Sequence, residues 1–379
     1  MGSLTEQAAS PYTFVDDDAS LRGALRAIGA ASTLGIDTEA DSRHHYPEKV
    51  CLVQVGTGDR VYLIDSLAKI DLSPLGAALA DPSKQKLLHG ADFDLRGLNR
   101  DWGFEVRNLY DTNVAARFAG LERFGLAALI EDLLGLVIPK EQRLQRADWS
   151  RRPLAQDALD YAAGDVIHLP AVRDALDAKL AALGRTEWVR EEFQRFEEIR
   201  YVPPDPETVF LSVKGTRGLN GKQLAVLKEL YAFREGEARR LNRPTAFVLT
   251  PEAMAFLSTN PTADLADAPG LGPSGIQRMA KGIKAALRAG TRAKPVLRPP
   301  SAQPFRRPTP EQTGRLARLK AWRVSLGEAQ SLDPSLLWPM RSLERLAREP
   351  GSLDAELASA EVRAWQQHEF TDALRKTLA

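Results

Sequence analysis

The stretch STLGIDTEADSRHHYPEKVCLVQVGTGDRVYLID, residues 32 to 65, decides the fold class. It holds three apolar, β-branched runs, STLGID, KVCLVQV and RVYLID, and GTGD marks a turn between the second and third. Connections this short leave no room for a crossover helix, so the strands are predicted to be antiparallel neighbours. Downstream, KLLHGA reads as a further strand entering a helical pattern from Asp92 to Trp102, and DTNVAARFAG and FGLAALIEDLLG read as helices. Strands first, then helices with strands interspersed, predict an α/β domain whose mixed sheet is flanked by helices. A long helical segment from Pro153 to about Leu183, interrupted at Pro170, closes the domain.

A chain of 379 residues exceeds one ordinary core and predicts two or three domains. With 44% apolar and 27% charged residues, the composition is that of a soluble globular protein. No apolar run approaches the roughly 20 residues of a membrane span, which excludes a membrane protein. The opening MGSLTEQAASPYTF lacks a basic segment followed by an apolar one, so no secretory signal is expected. The lone cysteine, Cys51, lies within VCLVQV and suits a buried apolar role in a reducing cytoplasm. The net charge of +1 hides an asymmetry about the proline cluster YVPPDP at residues 201 to 206. Residues 1–205 carry 24 Lys and Arg against 33 Asp and Glu, net −9, whereas residues 206–379 carry 27 against 17, net +10. A basic half is the footprint of a polyanionic partner and surplus carboxylates are candidate metal ligands, although solvated surface explains either alone.

After Pro206 the pattern is helical, as in GKQLAVLKELYAFREGEARRLN and GPSGIQRMAKGIKAALRAG, and predicts a small bundle over residues 206–294. Residues 295–310 hold six prolines and read as a stiff, extended linker. A further domain is expected over 311–379. Its LARLKAWRVSLGEAQSLDPSLLWPM echoes LAVLKELYAFREGEARRLNRPTAFVL, setting Leu316 with Leu224, Leu319 with Leu227 and Glu328 with Glu237 or its neighbour, a degenerate tandem repeat.

Asp37 and Glu39 stand two apart in IDTE at the end of a strand, which places both carboxylates on one face of the sheet. Such a pair is tolerable if solvated, if one member is protonated, or if a divalent cation neutralises both. Asp94, in LLHGADFDL, follows a strand at the start of a helix, where an acid also complements the helix dipole. Tyr161 and Asp165 lie four apart in ALDYAAGDVIHL, on one face of a helix. Each element alone has an ordinary structural explanation. Together, a strand pair, a strand-to-helix acid and a late Tyr-x-x-x-Asp suggest one constellation.

At these residues the chain resembles the DEDD exonucleases, and more closely the bacterial ribonuclease D family. LGIDTEADS with VCLVQVG and VYLIDSL is similar to the family's first motif, LLHGADFDLRGL to its second and DWSRRPLAQDALDYAAGDVIHLPAV to its third, so the resemblance covers roughly residues 11–200. It implies a ribonuclease H-like fold over residues 11–205 and two-metal phosphodiester hydrolysis with Mg²⁺ or Mn²⁺. It carries the metal-binding acids onto Asp37, Glu39, Asp94 and Asp165 and the catalytic tyrosine onto Tyr161. Asp92 is a rival for the second motif, but the family pattern puts the ligand directly before Leu95. In the superfamily's histidine variety the base stands five residues before the last acid; here that position is Asp160, which indicates the tyrosine subclass. His89 more simply makes a local hydrogen bond than acts as a base. Gln54, Trp149 and Arg152 are candidates for shaping a substrate groove, with packing and surface pairing as their plain alternative.

Residues 215–290 resemble the helicase-and-ribonuclease-D C-terminal (HRDC) domain, and 311–379, nearly balanced in charge, resemble a second, divergent copy with a stronger claim to packing than to binding. Arg239, Arg240, Arg243, Lys281 and Lys284 could contact phosphates, and the helix after GLGPSG offers backbone amides, although Gly270 to Gly275 also reads as an ordinary turn. The resemblance implies a cytoplasmic 3′→5′ exoribonuclease releasing 5′-mononucleotides from small structured RNAs, precursor transfer RNA among them, with no organic cofactor. A DNA exonuclease and a catalytically idle RNA-binding scaffold are the alternatives; the presence of all four acids and the tyrosine argues against the scaffold.

Overall fold

The computed structural model describes residues 12–138, 141–299 and 307–378; the opening segment through residue 11 and the middle of the proline-rich stretch lie outside the described residues. The first half runs β1 (Tyr12–Val15), α1 (Asp18–Ala30), β2 (Thr33–Ala40), β3 (Val50–Gly56), β4 (Val61–Asp65), α2 (Ser73–Ala80), β5 (Gln85–Leu88), α3 (Asp92–Trp102), β6 (Leu109–Asp111), α4 (Thr112–Phe118), α5 (Leu126–Leu134), α6 (Gln156–Ile167), α7 (Leu169–Ala182) and α8 (Thr186–Phe196). The sheet has the order β1-β4-β3-β2-β5-β6. As expected, β3 is antiparallel to β2 and β4, while β1 runs parallel to β4, and β5 and β6 parallel to β2. This is the mixed α/β, ribonuclease H-like sheet. All seven residues of β3 are buried because helices cover both faces of the centre. Cys51 lies there, its thiol pushed up to about 12 by burial, and so is an inert apolar residue.

Two of the strands escape sequence reading. Tyr12–Val15 and Leu109–Asp111 are four and three residues long, too short to express an alternation, and are strands only through pairing with β4 and β5. The helical segment after Pro153 breaks as expected, with Pro170 in the first turn of α7, where a missing N–H costs nothing.

Helix α6 packs across β2, β3 and β4. Gly35 and Gly56 are register partners beneath it. A Cβ at Gly35 would lie 2.9 Å from the Val166 carbonyl oxygen, and one at Gly56 3.5 Å from the Val166 side chain. The two glycines therefore let α6 settle onto the sheet beside the strand that carries Asp37 and Glu39.

The second half is helical: α9 (Gly221–Leu241), α10 (Pro251–Thr259), α11 (Pro273–Arg292), α12 (Pro310–Gln330), α13 (Pro334–Leu337), α14 (Met340–Arg348), α15 (Leu353–Leu357) and α16 (Ala364–Leu378). The repeat is visible in its caps. Helices α9 and α12 each have 21 residues, begin with a capping box (Asn220 with Gln223, Thr309 with Gln312) and end in a left-handed residue, Asn242 or Ser331. These caps set Leu316 opposite Leu227 and Leu319 opposite Leu230, three residues away from the alignment expected from the Leu-rich strings, because local leucine spacing repeats within one helix and cannot choose between turns.

The two helical regions pack differently. Helices α9 to α11 enclose a core of their own, built on Leu227, Leu230, Met254 and Ile283. Helices α12 to α16 share one core with the sheet domain. Trp365 stacks on Trp188 of α8 at 4.6 Å, Arg363 clamps Glu192, and the Trp365 and Ala364 backbone amides donate to Glu191. The described start of the expected linker is also not free: Val296 N–H donates to the Gly221 carbonyl and Arg298 to the Thr216 carbonyl, returning the chain to α9.

Candidate active site

Side chains on β2 alternate, so Asp37 and Glu39 emerge on the face that α6 covers. Helix α6 brings Asp165 to them, and one carboxylate oxygen from each of the three lies within 4.8 Å of the others. Asp94, in the first turn of α3, is buried beside them, and its Oδ1 accepts a 2.5 Å hydrogen bond from Thr38 Oγ1. Among the described residues none of these four acids has a cationic partner.

Desolvation is the largest cause of the resulting shifts. Burial, followed by the charges of Asp94, Asp165 and Glu39, holds the Asp37 carboxyl well above its ordinary value. Burial and the charges of Asp165 and Asp94 do the same to Glu39. Asp94 and Asp165 are each raised by burial to about 7, opposed by hydrogen bonds from Thr38 and Tyr161 respectively. Four carboxylates cannot all ionise so close together without positive charge between them. An all-oxygen donor set is what a small, hard divalent cation requires, so these residues fit the metal implied by the sequence.

Tyr161 precedes Asp165 by one turn of α6, and burial, then the charge of Asp165, raises its phenol. The Trp149 ring lies 6.3 Å from the Tyr161 ring. Asp92 is exposed and ion-paired with Arg96, and Asp160 is exposed and bonded to Gln156. His89 Nδ1 lies 2.9 Å from Thr112 Oγ1.

The three expected groove residues require correction. Trp149 is 1% exposed and supports Tyr161 from below, so it has no free face for a base. Gln54, across the sheet register from Asp37, is fully buried, with neither amide atom hydrogen-bonded. Arg152 is consumed internally: its Nε and Nη2 each donate to Asp65 at 2.6 Å, and its Nη1 and Nη2 reach the carbonyls of Trp149, Arg151 and Cys51. It anchors the loop before α6, with every guanidinium nitrogen already donating within the protein. In the helical half, Arg240 is ion-paired with Glu237, while Arg239, Arg243, Lys281 and Lys284 are exposed.

Some site residues escape sequence reading. Thr38 sits inside IDTE itself and was legible only as a spacer. Asp111 is fully buried, and its carboxylate accepts from the backbone N–H groups of Gly90, Ala91, Asn113 and Val114, fixing the turn that delivers Asp94. The loop after Glu39 clasps the segment before α6: His44 Nε2 lies 2.9 Å from the Arg146 carbonyl oxygen, and His45 Nε2 lies 2.9 Å from Ser150 Oγ. No periodicity announces a tertiary clasp.

The chain is similar to known proteins in both sequence and fold. Residues 12–181 match the 3′-5′ exonuclease family. Ribonuclease D of Granulibacter bethesdensis is 34% identical over 83% of this chain and 80% of its own, and that of Pseudomonas paraeruginosa is 32% identical over 98% of both. The crystal structure of Escherichia coli RNase D, described as an exoribonuclease involved in structured RNA processing, superposes with a TM-score of 0.73 at 25% identity, covering 97% of this chain and 98% of that one. With its strand pair of acids, its buried strand-to-helix acid and its Tyr-x-x-x-Asp helix gathered at one point of such a fold, the chain belongs to the ribonuclease D family.

Proposed function

We propose that this ribonuclease D family member is a 3′→5′ exoribonuclease in which Asp37, Glu39, Asp94 and Asp165 hold two divalent cations, Mg²⁺ or Mn²⁺. The observation that carries the reading is the convergence of Asp37, Glu39 and Asp165 oxygens within 4.8 Å, with no cationic side chain among the described residues paired to them. Bound there, the cations would lower the pKa of water and stabilise the leaving 3′ oxygen. The four carboxylates keep that charge in place. The Tyr161 phenol, one helical turn before Asp165, would orient the attacking water or, with the cations' assistance, help deprotonate it. Hydrolysis of the terminal phosphodiester then releases a 5′-mononucleotide.

The two helical regions, 206–294 and 311–379, are read as HRDC-type domains with different duties. Exposed Arg239, Arg243, Lys281 and Lys284 suit the first to RNA, and the common core with the sheet suits the second to packing. Among the described residues no helix is long and apolar enough to cross a membrane. A cytoplasmic enzyme trimming structured RNAs such as precursor transfer RNA is consistent with the basic second half. The test is a 5′-labelled, 3′-extended transfer RNA incubated with Mg²⁺, with EDTA, and with Asp37→Ala, beside a DNA strand of the same sequence. Stepwise shortening of RNA in the metal lane alone is expected. Equal shortening of DNA would move the reading to a general exonuclease, and binding without cleavage in either metal would make the protein a scaffold.

A further inference from the structure

We infer that four exposed arginines, Arg43 and Arg146 at the rim of the acid cluster and Arg239 and Arg243 across the domain seam, form one phosphate track that leads single-stranded RNA from the first helical body to the acids. The inference rests on the exoribonuclease reading for the identity of the polymer.

The seam itself is small and specific. Tyr46 belongs by sequence to the sheet domain, seven residues past Glu39, yet packs against the separate core of α9 to α11. Its phenol donates to Glu235, its backbone N–H donates to Asn242 Oδ1 at 3.2 Å, and the Arg239 guanidinium lies 5.6 Å from its ring centre. The C-terminal end of α9 is thereby seated on the loop that leaves the Asp37–Glu39 strand.

The same loop reaches the segment that precedes α6. His44 touches the Arg146 carbonyl, and Gln145, adjacent to Arg146, bonds the Tyr161 phenol. Arg43 and Arg146 are each within one residue of that contact. From Arg43 to Tyr46 the chain spans at most about 11 Å even if fully extended, so the two arginine pairs lie within a few nucleotides of each other.

Position and charge together set these four apart: exposed Arg60, Arg217, Arg278 and Arg288 also lack an acidic partner among the described residues, but none of them belongs to the seam or to the loop contact just described. Arg100, Arg107, Arg123, Arg143 and Arg240 each have a carboxylate partner. Arg43, Arg146, Arg239 and Arg243 are exposed and have no acidic partner among the described residues. Two acids close to them in sequence are already engaged: Asp148 by His45, Ser150 and Arg151, and Glu235 by Tyr46 and Arg234. Unpaired arginines beside a cluster of four carboxylates offset a field that would otherwise repel a polyanion.

The test uses the full chain in EDTA, so that binding is read without cleavage, with 5′-fluorescein oligoadenylates of three, six and twelve nucleotides followed by anisotropy over a range of salt. Arg43→Gln with Arg146→Gln is expected to weaken all three lengths at least tenfold, and Arg239→Gln with Arg243→Gln only the two longer ones. Each pair should lower the log Kd against log salt slope for the twelve-mer by about 1.4, two single-strand contacts' worth. Arg240→Gln, adjacent but ion-paired, should change Kd less than twofold. A slope unchanged in either double variant, or a tenfold loss in Arg240→Gln, overturns the track. Asp37→Asn keeps the two readings apart: it should retain the wild-type salt slope and lose cleavage, and retained cleavage would remove the acid assignment while leaving the track's binding results intact.

Discussion

Thr38 Oγ1 donates to Asp94 Oδ1 across a buried 2.5 Å contact, joining the first and second acidic motifs through a hydroxyl. The bond opposes the desolvation that raises Asp94. Thr38→Val keeps the shape and removes the donor, so Asp94 should be harder to ionise. Hydrolysis at pH 7 is expected to fall about tenfold, the worth of one hydrogen bond to a charged group, and to recover partly as pH rises. An unchanged pH–rate profile would show that the hydroxyl only packs.

Raised carboxylates carry a definite sign in the stability of the metal-free protein. The folded form of Asp94 and Asp165 binds protons up to about 7, whereas the unfolded chain releases them near 3.8. Their contribution is fully present below about pH 3.8 and is lost as pH rises through 7. Without metal, the thermal midpoint of Asp165→Asn should therefore exceed that of wild type at pH 8 and match it near pH 4. Added Mn²⁺ should raise the wild-type midpoint at pH 8 far more than at pH 5.5, and calorimetry should detect proton release on binding. Equal metal stabilisation at both pH values would contradict the shifts.

Gly35 has no room for a methyl group, since its Cβ would lie 2.9 Å from the Val166 carbonyl oxygen. Val166 follows Asp165 directly, so Gly35→Ala must displace the helix turn that presents that acid. We expect a stability loss of about 1–3 kcal/mol, as for overpacking elsewhere, and at least a tenfold loss of kcat. A crystal structure of the variant with α6 unmoved and full activity would refute the role.

Arg152 separates anchoring from binding. Arg152→Gln strips Asp65, only 6% exposed, of its bidentate partner, and a loss of about 3–5 kcal/mol is expected, read by urea unfolding. RNA affinity in EDTA should stay within twofold. The opposite pattern would restore Arg152 to the groove.

Trp365 reports on how the last helical region is attached. It is 5% exposed, stacks on Trp188 and meets Phe118 edge-on. Trp365→Ala should cost about 3–5 kcal/mol and lower the melting transition of the sheet domain along with that of α12 to α16. A sheet domain that melts unchanged would mean the two do not share a core.

What the sequence by itself determined is everything that local periodicity and spacing encode. The antiparallel trio of residues 32–65 follows from short connections, α3 from its apolar period, and the shared face of Asp37 and Glu39 from the two-residue repeat of a strand. The family resemblance supplied the candidate roles of Asp94, Tyr161 and Asp165. Only the tertiary structure decided which side chains remain available. Trp149 and Arg152 have ordinary surface-capable chemistry, yet one is sealed beneath Tyr161 and the other is spent on Asp65 and three carbonyls. Likewise, two similar 21-residue helices take opposite fates, α9 in a core of its own and α12 against the sheet. Burial and hydrogen-bond partnership depend on residues distant in sequence, so they are properties of the packed chain and have no local signature.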